Sequence, residues 1–172
     1  MHRGIRVVPE FDMPGHTRAW LVGHPELSSD PGPYTIRREF GVEAVAMDPT
    51  KESTYQLLDA FFGEMATIFP DPYLHLGGDE TPGTQWKNSP HVVAFMKEHN
   101  FATTEELQTY FSQRVLELAK KHGKHMVGWD EILTPTLPTD AIIHSWRGAK
   151  SLYDAAQRGY QGILSQPYYL DG

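Results

Sequence analysis

Residues 73–80, with the sequence YLHLGGDE, join a short apolar strand to a turn that ends in two carboxylates. An amphipathic helix precedes this strand, and its apolar residues recur at helical spacing until Pro70 stops it. Further along, a capping box at 103–106 begins a second long helix, which leads into another apolar strand at 125–128. Short apolar strands that alternate with amphipathic helices predict βαβ units and a parallel sheet.

Five strands and four helices are predicted along the chain. The strands are expected at residues 5–11, 73–76, 125–128, 141–144 and 162–165. The helices are expected from a cap at Asp48-Pro49 to about Phe69, from Ser89 to about His99, from Thr103 to Gly123, and from about Ser151 to Arg158. The polar stretch 25–46 predicts a long loop outside the core.

The predicted fold class is α/β, in the form of an incomplete (β/α)8 TIM barrel. A complete barrel of this kind needs about 250 residues, whereas the chain has 172. We therefore interpret residues 1–172 as one partial barrel domain, a fragment from which the first strands and the last strand are missing. A complete open α/β domain is the competing interpretation.

The composition excludes several classes of function. The formal net charge is −7 and Lys and Arg form no cluster, which argues against nucleic acid and anionic membrane as main partners. The chain has no cysteine, so disulfides, thiolate catalysis and thiolate metal sites are excluded. No apolar stretch approaches the roughly 18 residues that a membrane helix needs.

Polar or aromatic residues follow every predicted strand. Parallel barrels carry their active sites at the carboxyl ends of the strands, so these residues are expected to gather at one site. They are Glu10-Phe11-Asp12 with His16, Asp79-Glu80, Trp129-Asp130-Glu131, Ser145-Trp146-Arg147 and Tyr168-Tyr169-Leu170-Asp171.

The pair Asp79-Glu80 is the strongest local signal of chemistry. Neighbouring carboxylates repel, which raises the pKa of one of them, and a carboxyl with a raised pKa can act as a general acid while its partner stays ionised. The two glycines before the pair permit a tight turn and the close approach of a ligand. The carboxyl pair of an ordinary retaining glycosidase lies instead on separate elements. A solvated turn without function is the alternative.

Trp129 and Trp146 are candidate walls for a sugar ring or a small acyl group, because each follows a strand of the same predicted barrel. Packing of large side chains against loops is the alternative for each. His16 lies just past a strand end and could orient a carboxylate and partly stabilise its charge. A structural role is the alternative for His16.

A zinc site built from His16, His75, Asp79 and Glu80 is a further possibility, since two histidines and carboxylates can hold this ion. The chain lacks the histidine spacings that make such a site convincing. We expect neither a metal nor a cofactor.

Five motifs in the same order make the chain resemble the catalytic barrel of the glycoside hydrolase family 20 β-N-acetylhexosaminidases. The motifs are VPEFDMPGHT at 8–17, HLGGDE at 75–80, GWDE at 128–131, SWRG at 145–148 and YLD at 169–171. The resemblance spans almost the whole chain, and it implies that the chain comprises about strands 3 to 7 of that barrel with the intervening helices.

The resemblance implies a role for each candidate residue. Glu80 would be the general acid and later the base, while the 2-acetamido oxygen of the substrate would be the nucleophile, with an oxazolinium-like intermediate. Asp79 would bind the acetamido N–H, and Tyr169 the acetamido oxygen. Trp129 and Trp146 would wall the acetamide pocket. Asp171 would bind a sugar hydroxyl. His16 would contact Glu80 and support it without touching the substrate.

The implied partner is an oligosaccharide or glycoconjugate that ends in N-acetylhexosamine. The family residues on the first, second and eighth strands cannot be assigned in this chain, so the fragment alone is expected to be inactive and marginally folded. We expect the parent protein to be exported to a periplasmic, secreted or lysosome-like compartment. The alternatives are a non-catalytic carbohydrate-binding barrel and a metal-dependent hydrolase on a similar barrel.

Overall fold

A computed structural model describes residues 3–30, 32–39 and 41–168. Its six α-helices and four strands alternate over most of the chain. In chain order these are α1 (Arg18–Gly23), α2 (Glu52–Ile68), β1 (Tyr73–His75), α3 (Thr84–Lys87), α4 (Pro90–Glu98), α5 (Thr104–Lys121), β2 (His125–Trp129), β3 (Ile142–Ser145), α6 (Ala149–Gln157) and β4 (Gln161–Leu164). Single 3-10 turns occupy Pro25–Leu27 and Asp130–Ile132.

The four strands form one parallel sheet in the order β1-β2-β3-β4. Leu74 pairs with Met126, Val127 with Ile142, and Ile143 with Gly162. Because consecutive strands are neighbours and all run the same way, their carboxyl ends lie along one edge of the sheet. The predicted α/β class and parallel sheet are confirmed.

The core lies between one face of the sheet and the helices. α2 and α5 pack against each other, and α5 also contacts β2. Phe62, Leu74 and Leu116 are fully buried there, and burial of each such side chain stabilises the fold by roughly 1.5–3 kcal/mol. The opposite face of the sheet borders an open cavity of about 470 Å³ lined by residues that include His75 and His144.

α5 and α4 begin and end close to the positions predicted for them. The Thr103 side chain accepts a hydrogen bond from the Glu106 N–H, and the Glu106 side chain accepts one from the Thr103 N–H. This reciprocal pair is the predicted capping box. α4 starts at Pro90, which supplies a fixed φ at a position where no N–H is needed.

The start of α2 differs from the prediction. The helix begins at Glu52 with Lys51 as its N-cap, not at Pro49. The Asp48 carboxylate accepts hydrogen bonds from the N–H and the hydroxyl of Thr50, so it closes a turn before the helix instead of capping it.

The buried strand predicted at 5–11 is wrong. Glu10 forms a single bridge with His75, and the side chains of Ile5 and Val7 are about two-thirds exposed (65% and 63%). Pro9 has no N–H to donate, so it cannot extend a regular ladder on this side of β1. The segment is an extended stretch whose backbone bridges β1 at Glu10 and whose Arg6 side chain pairs with Asp71, and the described residues form four strands in place of the five predicted.

The loop prediction for 25–46 is partly wrong as well. Leu27 and Ala46 are almost completely buried. Ser28 bridges Met47 in antiparallel fashion, and the Asp48 N–H donates to the Leu27 carbonyl. The ends of this stretch therefore belong to the core, and only its middle is a surface loop. No helix of the described residues is long and apolar enough to cross a membrane.

Candidate active site

The candidate site lies at the carboxyl edge of the sheet. Asp79 and Glu80 follow β1, Trp129 is the last residue of β2, and Trp146 follows β3. The prediction that the strand ends deliver these side chains to one edge is confirmed by the parallel register of the strands. Tyr169 and Asp171, also predicted here, lie outside the described residues.

Two glycines shape the turn that leads to the acidic pair. Gly77 and Gly78 have φ values of +67° and +99°, a region that side chains disfavour. A Cβ on Gly78 would lie 2.3 Å from Cγ2 of Ile132, and one on Gly77 would lie 2.9 Å from the Asp12 Cα. Close packing and backbone conformation both require glycine here, as the sequence predicted for a tight turn.

Glu80 itself adopts a left-handed backbone conformation, with φ of +45°. This conformation costs a residue other than glycine roughly 1–2 kcal/mol. Such strain is found most often at functional positions, where the surrounding structure imposes it. The Glu80 side chain is about one-third exposed and lines a cavity of about 420 Å³ together with Glu131 and Arg147.

His16 lies between the two carboxylates. Its Nε2 is 3.2 Å from Oε2 of Glu80 and 3.4 Å from Oδ2 of Asp79. The loop that carries it is fixed from both sides, because the Met13 N–H donates to the Leu76 carbonyl and the Met47 N–H donates to the Pro14 carbonyl. The predicted approach of His16 to the acidic pair is therefore present.

Burial sets the electrostatics of Asp79. Burial raises the pKa of its carboxyl, the charge of a protonated His16 lowers it, and the charges of Glu80 and Glu10 raise it further. Oδ1 of Asp79 is buried and accepts no hydrogen bond from the described residues. A buried oxygen without a donor is costly, so this atom is suited to accept an N–H from a bound ligand.

Each tryptophan of the site is held by its indole N–H. Nε1 of Trp129 donates to Oε1 of Glu10 over 2.9 Å, and Nε1 of Trp146 donates to Oε2 of Glu131 over 3.0 Å. The Trp129 ring also stacks on His144, with centroids 4.2 Å apart and an interplanar angle of 29°. The sequence placed both glutamates at strand ends but gave them no role, since no spacing in the sequence reveals which indole each one meets.

Partial burial raises the pKa of both glutamates. It raises the pKa of Glu10 to about 7, with further contributions from Asp12, while the hydrogen bond from Trp129 lowers it. It likewise raises the pKa of Glu131 to about 7, and the hydrogen bond from Trp146 opposes that rise. Both carboxyls therefore change protonation near neutral pH.

His16, Asp79 and Glu80 are also the one group among the described residues that could offer three ligands to a cation, since one atom from each lies within 4.8 Å of the others. His75 is not part of the group. Its Nδ1 accepts the Gly77 N–H, its Nε2 faces Nδ1 of His144, and burial lowers its pKa to about 3. The four-residue zinc site weighed from the sequence does not form, and the expected absence of a metal stays a prediction.

Trp86, in the region after the acidic pair, has a structural role. Its side chain is fully buried, and its Nε1 donates to the Met47 carbonyl. This hydrogen bond joins α3 to the end of the 25–46 loop.

A parallel α/β sheet that brings an acidic pair and two indoles to the carboxyl ends of its strands has the arrangement found at the active-site end of a TIM barrel. The family model for the catalytic domain of glycosyl hydrolase family 20 matches residues 1–172. The chain belongs to this family, which confirms both the resemblance and the predicted partial barrel.

Curated relatives and solved structures give the same result. The chain is 37% identical to β-hexosaminidase subunit alpha of Rattus norvegicus, over 98% of this chain and 33% of that subunit. It is 36% identical to β-hexosaminidase of Porphyromonas gingivalis, over 98% of this chain and 22% of that protein. The chain thus spans about a third or less of the curated relatives that it matches.

Two solved structures superpose closely on the chain. The chitobiase of Flavobacterium johnsoniae matches with a TM-score of 0.93 and 44% identity, over 98% of this chain and 27% of that chain. The exo-β-N-acetylglucosaminidase of Vibrio harveyi, solved with N-acetylglucosamine, matches with a TM-score of 0.80 and 30% identity, over 94% of this chain and 26% of that chain.

Proposed function

We propose that residues 1–172 form the central part of the catalytic domain of a β-N-acetylhexosaminidase. The complete protein would hydrolyse terminal non-reducing N-acetylhexosamine residues with retention of configuration. Membership of glycosyl hydrolase family 20 and the acidic pair at the strand ends support this proposal. The Vibrio harveyi relative, which contains bound N-acetylglucosamine, supports the substrate class.

Glu80 is the proposed acid and base. In the first step its carboxyl proton passes to the glycosidic oxygen as the bond from that oxygen to the anomeric carbon breaks. In the second step water attacks the anomeric carbon, the bond from that carbon to the acetamido oxygen of the intermediate breaks, and the proton that the water loses passes to Glu80. Its exposure to the 420 Å³ cavity gives it access to a leaving group, and His16 holds the carboxylate from the other side.

The nucleophile in this proposal is the substrate's own acetamido oxygen, which bonds to the anomeric carbon and forms an oxazolinium-like ring. Asp79 accepts the acetamido N–H and offsets the positive charge that develops on the group. The vacant, buried Oδ1 of Asp79 is the observation that carries this assignment. Attack by a group already held in place gains from proximity, worth up to several kcal/mol.

The acetamide pocket is assigned to Trp129 and Trp146, whose indoles are fixed at the same edge as the acidic pair. Tyr169 would hold the acetamido oxygen and Asp171 a remote sugar hydroxyl. These two assignments rest on the YLD motif alone.

Replacement of Glu80 by glutamine in the complete protein tests the proposal. The E80Q variant should lose turnover of an aryl N-acetyl-β-glucosaminide, because glutamine has no proton to give to the leaving group. Wild-type enzyme should cleave this substrate far faster than the plain aryl glucoside, which lacks the acetamido nucleophile. Equal rates on the two substrates would refute the substrate-assisted mechanism, and unchanged turnover by E80Q would refute the role of Glu80.

The clustering of His16, Asp79 and Glu80 keeps a metal-dependent hydrolase as a second candidate. Activity that survives a chelator but is blocked by a thiazoline mimic of the intermediate would exclude it. A carbohydrate-binding barrel without catalysis would bind the sugar and show no turnover. We further propose that the complete protein supplies the remaining barrel strands and is exported to a periplasmic, secreted or lysosome-like compartment.

A further inference from the structure

Two glutamates outside the proposed chemistry each accept the indole N–H of a pocket tryptophan. We propose that Glu10 and Glu131 are positioning residues that fix the indoles of Trp129 and Trp146 and thereby set how large an acyl group the pocket accepts. The inference rests on the proposed function, because it takes these indoles as walls of the acetamide pocket.

Glu10 accepts a hydrogen bond from the indole N–H at the edge of the Trp129 ring. The two residues are 119 positions apart in the chain, and their hydrogen bond joins the extended segment before α1 to the end of β2. Glu10 is itself placed by its bridge with His75. Since the Trp129 ring also stacks on His144, both the edge and one face of the indole are fixed.

Glu131 likewise accepts the indole N–H of Trp146, and this contact lies between the ends of β2 and β3. Glu131 lies in the 3-10 turn after β2, whereas Trp146 follows β3, so the hydrogen bond ties two neighbouring strand ends together. The Glu131 side chain is only one-fifth exposed. Arg147 donates to the fully buried Asp130 carboxylate next to it, which fixes the turn that carries Glu131.

The two contacts share a chemical arrangement. Each glutamate accepts an indole N–H through one carboxylate oxygen, and an aspartate helps to raise the pKa of each, Asp12 for Glu10 and Asp130 for Glu131. A carboxylate oxygen that accepts an indole N–H holds that edge of the ring in one orientation. An indole held in this way forms a rigid wall, and a rigid wall rejects a larger acyl group more strongly than one that can move.

The test compares acyl sizes in the complete protein. Aryl glucosaminides that carry an N-acetyl or an N-propionyl group are the probes, and the ratio of their kcat/KM values is the measurement. We expect wild-type enzyme to prefer the acetyl substrate by about tenfold or more, because a pocket of fixed size penalises one extra methylene. E10L and E131L should each lower this ratio by about fivefold, through loss of one hydrogen bond that fixes a wall.

Glutamine is the rescue variant. E10Q and E131Q keep an oxygen that accepts the indole N–H, so they should retain the wild-type ratio. E64Q, on the exposed face of α2, is the matched control and should change nothing. If a leucine variant does not fold, E10A or E131A replaces it, since alanine also removes the acceptor of the indole N–H and leaves the ring intact, and the same relaxation is expected.

The possible failures are distinguishable. Loss of total activity with an unchanged acyl ratio in the leucine or alanine variants would overturn the inference, because it is what a purely structural role produces. A glutamine variant that relaxes the ratio as much as leucine would also overturn it. Wild-type enzyme that cleaves plain glucosides as well as acetamido sugars would instead refute the proposed function.

Discussion

Replacement of His16 by asparagine should move the acid limb of the pH–activity profile to higher pH. In the proposed mechanism Asp79 assists the reaction only when it is ionised, and the charge of a protonated His16 lowers its pKa against the effect of burial. Without that charge the pKa of Asp79 rises, so protonation begins at a higher pH and kcat/KM falls earlier on the acid side. Asparagine suits the site because His16 has φ of +54°, which asparagine tolerates better than most residues.

The size of the shift follows from the geometry. Unit charges 3.4 Å apart would interact by about 5 kcal/mol at an effective dielectric constant near 20, which is an upper limit. The His16 side chain is about a quarter exposed, and solvent screening reduces such interactions to roughly 1 kcal/mol. Since 1.36 kcal/mol corresponds to one pKa unit, the acid limb should move upward by about 0.5 to 1 pH unit.

The assay is kcat/KM for an aryl N-acetylglucosaminide between pH 3 and 8, because this ratio reports the ionisation of the free enzyme. His24→Asn is the matched control, since His24 also contacts a carboxylate, Glu26, but in an exposed pair elsewhere in the chain. An acid limb that stays in place in His16→Asn would refute the electrostatic coupling to Asp79. A limb that shifts equally in both variants would show that the effect is not specific to the site.

Three other outcomes are expected. Gly78→Ala should lower the free energy of unfolding by roughly 2 kcal/mol or more in denaturant, because the Gly78 backbone is left-handed and an added Cβ would meet Ile132. Gly23→Ala is the control, since its added Cβ has nothing within 4 Å. Equal losses in the two variants would contradict this reasoning. Thr103→Ala should lower the free energy of unfolding by about 1 kcal/mol through loss of the α5 capping box, whereas Thr103→Ser should keep most of it. Similar losses in both variants would exclude the cap as the cause. The isolated 172-residue chain should aggregate or unfold at low temperature, since Ile163 on β4 is 44% exposed; a cooperative, soluble monomer in a thermal melt would count against this.

The sequence predicted well those features that depend on residues close together in the chain. The capping box at Thr103 and the stop before Pro70 involve contacts within one turn, and both are present. The parallel sheet was also predictable, because its strands pair in the order in which they occur. That order brings consecutive strand ends together, so the gathering of Asp79 and Trp129 at one edge followed from the pattern.

Features that depend on distant partners were not predictable. The apolar segment at 5–11 has the composition of a strand, but only the structure shows that its backbone pairs with β1 at Glu10 alone. The same is true of the hydrogen bond between Glu10 and Trp129, for which no spacing gives a signal. Asp48 is a residue type that is typical of helix N-caps, but its carboxylate accepts a hydrogen bond from Thr50.

The backbone at Glu80 explains how two adjacent residues can act as a pair. Neighbouring side chains on a regular strand point to opposite faces, so Asp79 and Glu80 in a strand would have diverged. Here both carboxylates come within 3.4 Å of the same His16 nitrogen, because the left-handed conformation at Glu80 breaks the alternation. Gly15 packs against this turn so closely that an added Cβ would be 3.0 Å from the Asp79 carbonyl oxygen. The loop that presents His16 therefore also holds the turn in place, and a change at Gly15 should disturb both carboxylates together.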